Sequence, residues 1–240
     1  PIFKKGLEKG LTDVEIYAVN NTNLSIEVYE GKVEKNEVSR LNTALIKGIY
    51  NNKAAKVKVE NLSDENINYM LDKLIDAAKH ITANEPALIY EGSKEYPIVE
   101  EENFDFSTIE PTKKVQLLLD VEKGILKNEY VTKVDSVSYS ETESETVIIN
   151  SKGLNLNKHH TYATCFASAV FEKDGQIKSS YGYKIARKYS DFDANQIINN
   201  CIEKGVSQLG AKSIASKNYP VVFSNEMFGN ILRVYASIFT

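Results

Sequence analysis

The sequence predicts an α+β fold: a mixed or antiparallel sheet with packed helices in an N-terminal domain, followed by the start of a second, truncated β-rich domain. Period-two alternation in runs such as LSIEVYE is the first observation behind it, because alternating apolar and polar residues mark half-buried strands. Two-residue turn signals at Glu30-Gly31 and Asp174-Gly175 are the second, since they join neighbouring runs as antiparallel hairpins. The third is a set of apolar residues at helical spacing over 67–78, which gives one helix face to pack. The domain organisation expected is 1–190 for the N-terminal α+β domain, 191–218 for a helix and linker, and 219–240 for an incomplete C-terminal domain.

Taken in order, residues 2–7 read as the end of a helix. VEIYAV (14–19) and LSIEVYE (24–30) read as strands, with Leu24, Ile26 and Val28 pointing one way and Ser25, Glu27 and Tyr29 the other. KVEKNEVSR follows the Glu30-Gly31 turn. TALIKGIY and AAKVKVE then form a hairpin around Asn51-Asn52-Lys53. The next helix takes Ser63 as N-cap, with Asp64 and Glu65 at its positive end and Lys79 and His80 at its negative end. Ile67, Met70, Leu71, Leu74, Ile75 and Ala78 make its apolar face.

An acidic, irregular arm with Pro86 and Pro97 spans 84–107, and a second helix begins near Pro111, carrying Val115, Leu118, Leu119, Ile125 and Leu126. Strands resume with KVDSVSY and TVIINSKG, then a long one over 161–171 that returns through IKSSYGYKIA. A third helix covers 193–209, with Ile197, Ile198, Cys201 and Leu209 inward. PVVF reads as a buried strand and EMFGNILRVYASIFT as an apolar helix. That helix has no partner in the residues after it, which suggests a second domain cut short. The opening Pro1, without an initiator Met, suggests a processed or partial chain.

Composition narrows the function. The chain has 240 residues with a formal net charge of -4, so it offers no broad positive field for nucleic acid. Its lysines alternate with glutamates, as solvated surfaces do. No run of about twenty apolar residues is present to span a bilayer, and no signal peptide opens the chain. Two cysteines, Cys165 and Cys201, are too few for a disulfide-stapled secreted domain, so the expected location is the cytoplasm.

Catalytic signatures are sparse: there is no phosphate loop, no Gly-x-Ser-x-Gly elbow and no Cys-x-x-Cys pair. His80 reads as a structural residue at a helix C-terminus. His159 and His160 are adjacent and would face opposite ways on a strand, whereas zinc needs three or four converging ligands. The odd separation of His160 and Cys165 also puts them on opposite faces. The histidine pair therefore reads as surface or loop, with an independent metal site at His159, His160 and Cys165 the weaker alternative. Glu141, Glu143 and Glu145 alternate with hydroxyl residues. They read as a solvated loop, with a weak cation site or a peptide-amine contact as the alternative. Tyrosine is abundant, with 14 copies and no Trp. Tyr162 and the Tyr181-Gly182-Tyr183 stretch read as half-buried strand packing first and as a partner surface second.

In their order and spacing, several phrases resemble the TldD/PmbA family, also called the modulator-of-DNA-gyrase family. They are LSIEVYEGKVEKNE, KGIYNNKAAKVKVE, LSDENINYMLDKLIDAAKH, VIINSKGLNL, VFEKDGQ and FDANQIINNCIEKGVSQLGAKSIASKNYPVVFS. The resemblance covers essentially the whole chain. In the family's TldD-like subunit, a helix after the Pro-Val-Val strand carries His-Glu-x-x-x-His, which binds zinc and supplies the water-activating Glu, and a later cysteine completes the site. Through GNILRVYASIF those positions fall at Arg233, Val234 and Ile238, and no His or Glu occurs after Glu226.

The resemblance therefore implies the PmbA-like (TldE-like) subunit, with no catalytic, cofactor-binding or metal-ligating residue in this chain. Zinc is expected in a TldD-like metallopeptidase partner. Unfolded peptides are the expected substrates, a homodimer is possible, and neither nucleic acid nor membrane is a partner. The alternative is a stand-alone peptide-binding or regulatory protein, including the gyrase-modulator idea, without peptidase activity.

Overall fold

The computed structural model describes residues 1–60, 63, 65–82, 87–97 and 103–239. The chain divides into two compact units, Pro1–Leu209 and Gly210–Thr240. The first unit holds β1 (Asp13–Tyr29), β2 (Lys32–Tyr50), β3 (Lys53–Val59), β4 (Val131–Asn150), β5 (Asn155–Lys173) and β6 (Gln176–Ala186). Its helices are α1 (Ile2–Glu8), α2 (Ile67–Lys79), α3 (Pro111–Ile125) and α4 (Ala194–Gln208). The strands form one antiparallel sheet in the order β3-β2-β1-β4-β5-β6, so the class is α+β as the sequence predicts.

Local chemistry accounts for the turns. Glu30 and Gly31 adopt positive φ (49° and 72°), as do Asp174 and Gly175 (51° and 76°). Two successive positive-φ residues match the right-handed twist of the flanking strands, hence a tight hairpin. Asn51 and Asn52 do the same at 47° and 62°, with Lys53 already in β3.

The strands are longer than their apolar runs. The two predicted strands 14–19 and 24–30 are one, because the polar residues Asn20 to Asn23 are paired on both sides, to β2 and to β4. KVEKNEVSR and TALIKGIY likewise merge into β2, and KVDSVSY and TVIINSKG into β4. Ladder hydrogen bonds from two neighbours override weak local strand propensity.

Both helical layers lie on one sheet face. Val14 and Ile16 on β1 pack with Ala44, Ile46 and Ala55 under α1 and α2, where Leu71 and Leu74 are fully buried. Ile26 and Val28, of the same parity on β1, pack with Val137, Tyr139, Cys165 and Phe171 under α3 and α4. Each such Leu or Ile contributes about 1.5–3 kcal/mol by leaving water. Gly182 on β6 is where α4 approaches most closely: a Cβ there would lie 2.2 Å from the Ile197 carbonyl oxygen.

Several end assignments differ from expectation. Helix α2 takes Asn66 rather than Ser63 as N-cap, without a side-chain cap, because the Asn66 N–H closes a turn onto the Ser63 carbonyl first. The expected acidic contribution of Asp64 and the arm residue Pro86 lie outside the described residues. Helices α3 and α4 match prediction closely. Asp193 caps α4 by accepting from the Asn195 N–H at 2.9 Å. Leu126, expected inward, caps α3 and is 52% exposed.

The second unit, taken by itself, contains one described helix, α5 (Asn225–Ala236), capped by Ser224. The predicted PVVF strand does not form. A strand is held by a neighbour's ladder, and no described residue of this unit forms one. No helix among the described residues is long and apolar enough to cross a membrane.

Candidate functional site

A polar band separates the two apolar clusters on the helix-covered face of the sheet. It arises because β4 keeps strict alternation through Tyr139, Glu141, Glu143, Glu145 and Val147. The three carboxylates therefore follow a core tyrosine on the same face. Glu141 stands opposite Leu24 and Ala163, Glu143 opposite Thr22 and Thr161, and Glu145 opposite Asn20 and His159. The expected solvated loop is thus the middle of a twenty-residue strand.

Each carboxylate has its own partner, which resolves the repulsion that three aligned acids would produce. Lys114, 3% exposed at its side chain, approaches Glu141 at 2.6 Å and donates to the Phe106 carbonyl at 2.9 Å. Tyr139 donates its hydroxyl to the same Glu141 at 2.7 Å. Glu143 meets His159 Nε2 at 3.0 Å, and Glu145 accepts from Asn157 at 3.2 Å and Asn20 at 3.4 Å. The cation that answers Glu141 is internal, a lysine ammonium.

Over this band lies a cavity of about 400 Å³. Its floor includes Thr22, Leu24, Glu141 and Glu143, with His159 and Thr161 along one side and Phe104 to Pro111 along another. Asn103 pins that segment to the border of β5, donating to the His159 carbonyl at 2.9 Å and accepting from the Thr161 N–H at 3.0 Å. A side-chain amide thereby reproduces a strand's pairing pattern. Asn103 and His159 also line a second cavity of about 800 Å³, which holds Tyr17, Tyr96, Pro97 and Ile148 on the sheet's other face.

Burial, then the hydrogen bond to Glu141, pushes the Tyr139 hydroxyl far above its ordinary range, so it stays protonated. Hydrogen bonds from Ser107, side chain and backbone, hold the Asp105 carboxyl below its ordinary value and tie it to the turn at 106–108. The cleft is left with an apolar lining of Leu24, Val38, Phe104, Phe106 and Ile109, the hydroxyls of Thr22, Ser107, Thr142 and Thr161, the Asn103 amide and one exposed Glu143–His159 pair.

The histidines and cysteines do not converge. His159 and His160 both belong to β5 rather than preceding it, and they project to opposite faces. His160 stacks on Tyr162 with ring centroids 6.2 Å apart, and its Nδ1 is buried without a hydrogen-bond partner among the described residues. Burial pushes the Cys165 thiol up to about 12. Cys201, on the buried side of α4, lies against Ser180 of β6, its thiol also raised by burial. His80 caps its own helix, donating from Nδ1 to the Asp76 carbonyl at 2.8 Å. Among the described residues no three His, Cys, Asp or Glu side chains gather as a metal site.

The zinc that the resembled family uses also fails to fit α5. Arg233 stays protonated and Val234 and Ile238 have no lone pair to give. The helix ends at Ala236, so Ile238 lies beyond the turn that would have to carry a second ligand. Sequence reading missed the role of Lys114. The signal available was a lysine in a helix otherwise facing inward, between Pro111 and Val115.

The chain is similar to known proteins along most of its length. Residues 104–209 match the PmbA/TldA metallopeptidase central domain. The chain is 21% identical over 243 residues to metalloprotease PmbA of Escherichia coli O157:H7, covering 96% of this chain and 53% of that protein. A PmbA homolog of Haemophilus influenzae is 22% identical over 138 residues, 57% of this chain and 31% of that protein. Among solved structures, a Thermotoga maritima protein described as a candidate modulator of DNA gyrase superposes with a TM-score of 0.77. It is 21% identical, over 90% of this chain and 49% of its own. TldE of Thermococcus kodakarensis superposes at 0.73 and 16% identity, over 85% of this chain and 46% of its own. The chain spans about half the length of the longer-matching relatives.

Proposed function

Because residues 104–209 match the PmbA/TldA metallopeptidase central domain and the chain is similar to PmbA along most of its length, we propose that it belongs to the TldD/PmbA family and is the non-catalytic partner subunit of a TldD/TldE-type zinc peptidase that degrades or matures unfolded peptides. The observation that carries the proposal is the set Arg233, Val234 and Ile238 at the positions of the family's His-Glu-x-x-x-His. Zinc, attacking water and catalytic Glu would then come from a TldD-like chain, where the metal lowers the pKa of its bound water. This chain would shape the path of the peptide.

The cleft over Glu141 and Glu143 supports that role. Its apolar lining, Leu24, Val38, Phe104 and Ile109, accepts side chains of varied sequence, while Asn103, Thr22 and Thr161 offer hydrogen bonds that a peptide backbone can use. An extended peptide can also add to a sheet edge, a mode that asks for no catalytic residue. The same reading makes residues 219–240 the opening of a C-terminal domain and places the complex in the cytoplasm.

The test is reconstitution. This chain and a family member bearing His-Glu-x-x-x-His are assayed singly and mixed on an unfolded peptide, with co-elution recorded in parallel. The proposal expects cleavage to rise on mixing and none from this chain alone. Cleavage by this chain alone, or no co-elution and no change in rate, contradicts it.

A further inference from the structure

The cleft over Glu141 and Glu143 carries a negative charge that its own lysine does not cancel. Among the described residues, three carboxylates line it, Asp105, Glu141 and Glu143, against one ammonium, Lys114. That ammonium is 3% exposed and is engaged by Glu141 at 2.6 Å. Two carboxylates are left over, with His159 counted neutral. Glu143 is 62% exposed at its side chain, and its bond with His159 falls on Oε1. Both bonds from Ser107 fall on Oδ1 of Asp105. Arg40, opposite Thr22 on β2, lies two strands from Glu143, about 10 Å at strand spacing, and is not in the lining.

Acids alone would make only a solvated face. Here they stand at the end of an apolar surface. Val38 pairs with Leu24 and Leu24 with Glu141, so two aliphatic side chains lead along one row to the acids. Val38 is 61% exposed there. Phe104 and Ile109 face the same space, whose volume of about 400 Å³ lies in the range of ligand sites. A hard metal ion takes six or more converging oxygens, and no three His, Cys, Asp or Glu side chains among the described residues gather to hold one. The complementary cation is an organic one on an apolar stem.

Building on the reading of this chain as a guide for peptides, we propose that the cleft is a subsite for a basic side chain of the peptide, arginine above lysine. The stem lies along Leu24, Val38 and Ile109, and the charged head reaches Glu143 and Asp105. Arginine ranks first because a planar guanidinium forks onto a carboxylate and stacks on an aromatic ring, here Phe104. The substrates this chain guides are accordingly peptides with a basic residue among apolar ones.

The test measures binding to this chain alone by fluorescence anisotropy, at low salt. The probes are labelled Gly/Ser peptides, acetylated and amidated, with Leu-Arg-Leu at the centre. Twins carry Lys or Gln in place of Arg, and one Gln twin keeps a free N-terminal amine. The Arg peptide should bind about fivefold or more tighter than the acetylated Gln twin, with Lys between and the difference shrinking in salt. Glu143→Gln and Asp105→Asn, which keep the oxygens that accept from His159 and Ser107, should each cut the Arg-over-Gln ratio about twofold or more and leave the Gln peptide unaffected. Glu203→Gln, on α4, should change neither. Unfolding midpoints show whether each variant has folded. Without any variant, a photo-crosslinker beside the Arg should attach within 103–111 or 159–161. Equal binding of the Arg and Gln peptides, or none, overturns the subsite. So does a preference for Arg that survives both cleft substitutions. A free-amine Gln twin that matches the Arg peptide overturns the side chain in favour of a peptide terminus. Reconstitution with a chain bearing the metal motif is scored separately: cleavage that rises on mixing without an Arg preference here sinks the subsite alone, and an Arg preference without that rise sinks the partner-subunit reading alone.

Discussion

Replacing Lys114 by Met tests whether the polar band is held by a buried ion pair. The Lys114 side chain is 3% exposed and Glu141 14%, at 2.6 Å, with the Phe106 carbonyl and the Tyr139 hydroxyl completing the network. Lys114→Met keeps the volume but leaves a largely buried carboxylate without its cation and a carbonyl without its donor. Breaking one side of such a pair costs about 3–5 kcal/mol. Adding Glu141→Leu removes the orphaned charge, after which the Tyr139 hydroxyl is the main unmet group, costing about 1–3 kcal/mol. The double variant should therefore be more stable than Lys114→Met alone. Urea unfolding monitored by circular dichroism, with unchanged slope against denaturant, gives both values. A Lys114→Met variant within about 1 kcal/mol of wild type would refute the reasoning, as would a double variant less stable than the single one.

Other outcomes follow from the same coordinates. Gly182→Ala should destabilise by about 1–3 kcal/mol or more, since its Cβ would strike the Ile197 carbonyl and Cys201 N–H at 2.2 and 2.9 Å; thermal unfolding reads this directly. Glu30→Gly should stabilise by about 0.5–1 kcal/mol in chemical denaturation, because Glu30 sits at φ 49°. A thiol reagent near neutral pH should leave Cys165 and Cys201 unmodified in the native chain and label both in denaturant, as their thiols are buried. Stability should also fall at high pH. The Cys165 thiol ionises near 9 when unfolded, but burial pushes it up to about 12 when folded, so the unfolded state loses its proton first. Between those values the loss is about 1.4 kcal/mol per pH unit, and none of it appears below 9.

What was legible in the sequence was local. The hairpin turns, α3 behind Pro111 and α4 behind Asp193 are written in two to four residues each, where φ preference and cap chemistry decide. Strand continuity was not legible across Asn20 to Asn23 or through Glu141 to Glu145, because distant strands supply the pairing that holds those residues extended. The same holds for the cleft. Lys114 and Glu141 are remote in sequence, and only the packing of α3 over β4 turns an apparent solvated acid into the anchor of a buried network. PVVF failed for the converse reason: four apolar residues suggest a strand, and no described neighbour in that unit pairs with them.

The central claim is that this chain supplies no metal of its own to the peptidase chemistry. Zinc per chain in the purified protein, measured by elemental mass spectrometry before and after mixing with a family member bearing His-Glu-x-x-x-His, tests it most directly. The account predicts no zinc on this chain alone and zinc in the mixture equal to what the other member brings. Close to one zinc per chain on this protein alone would contradict it and turn attention to His159 and His160.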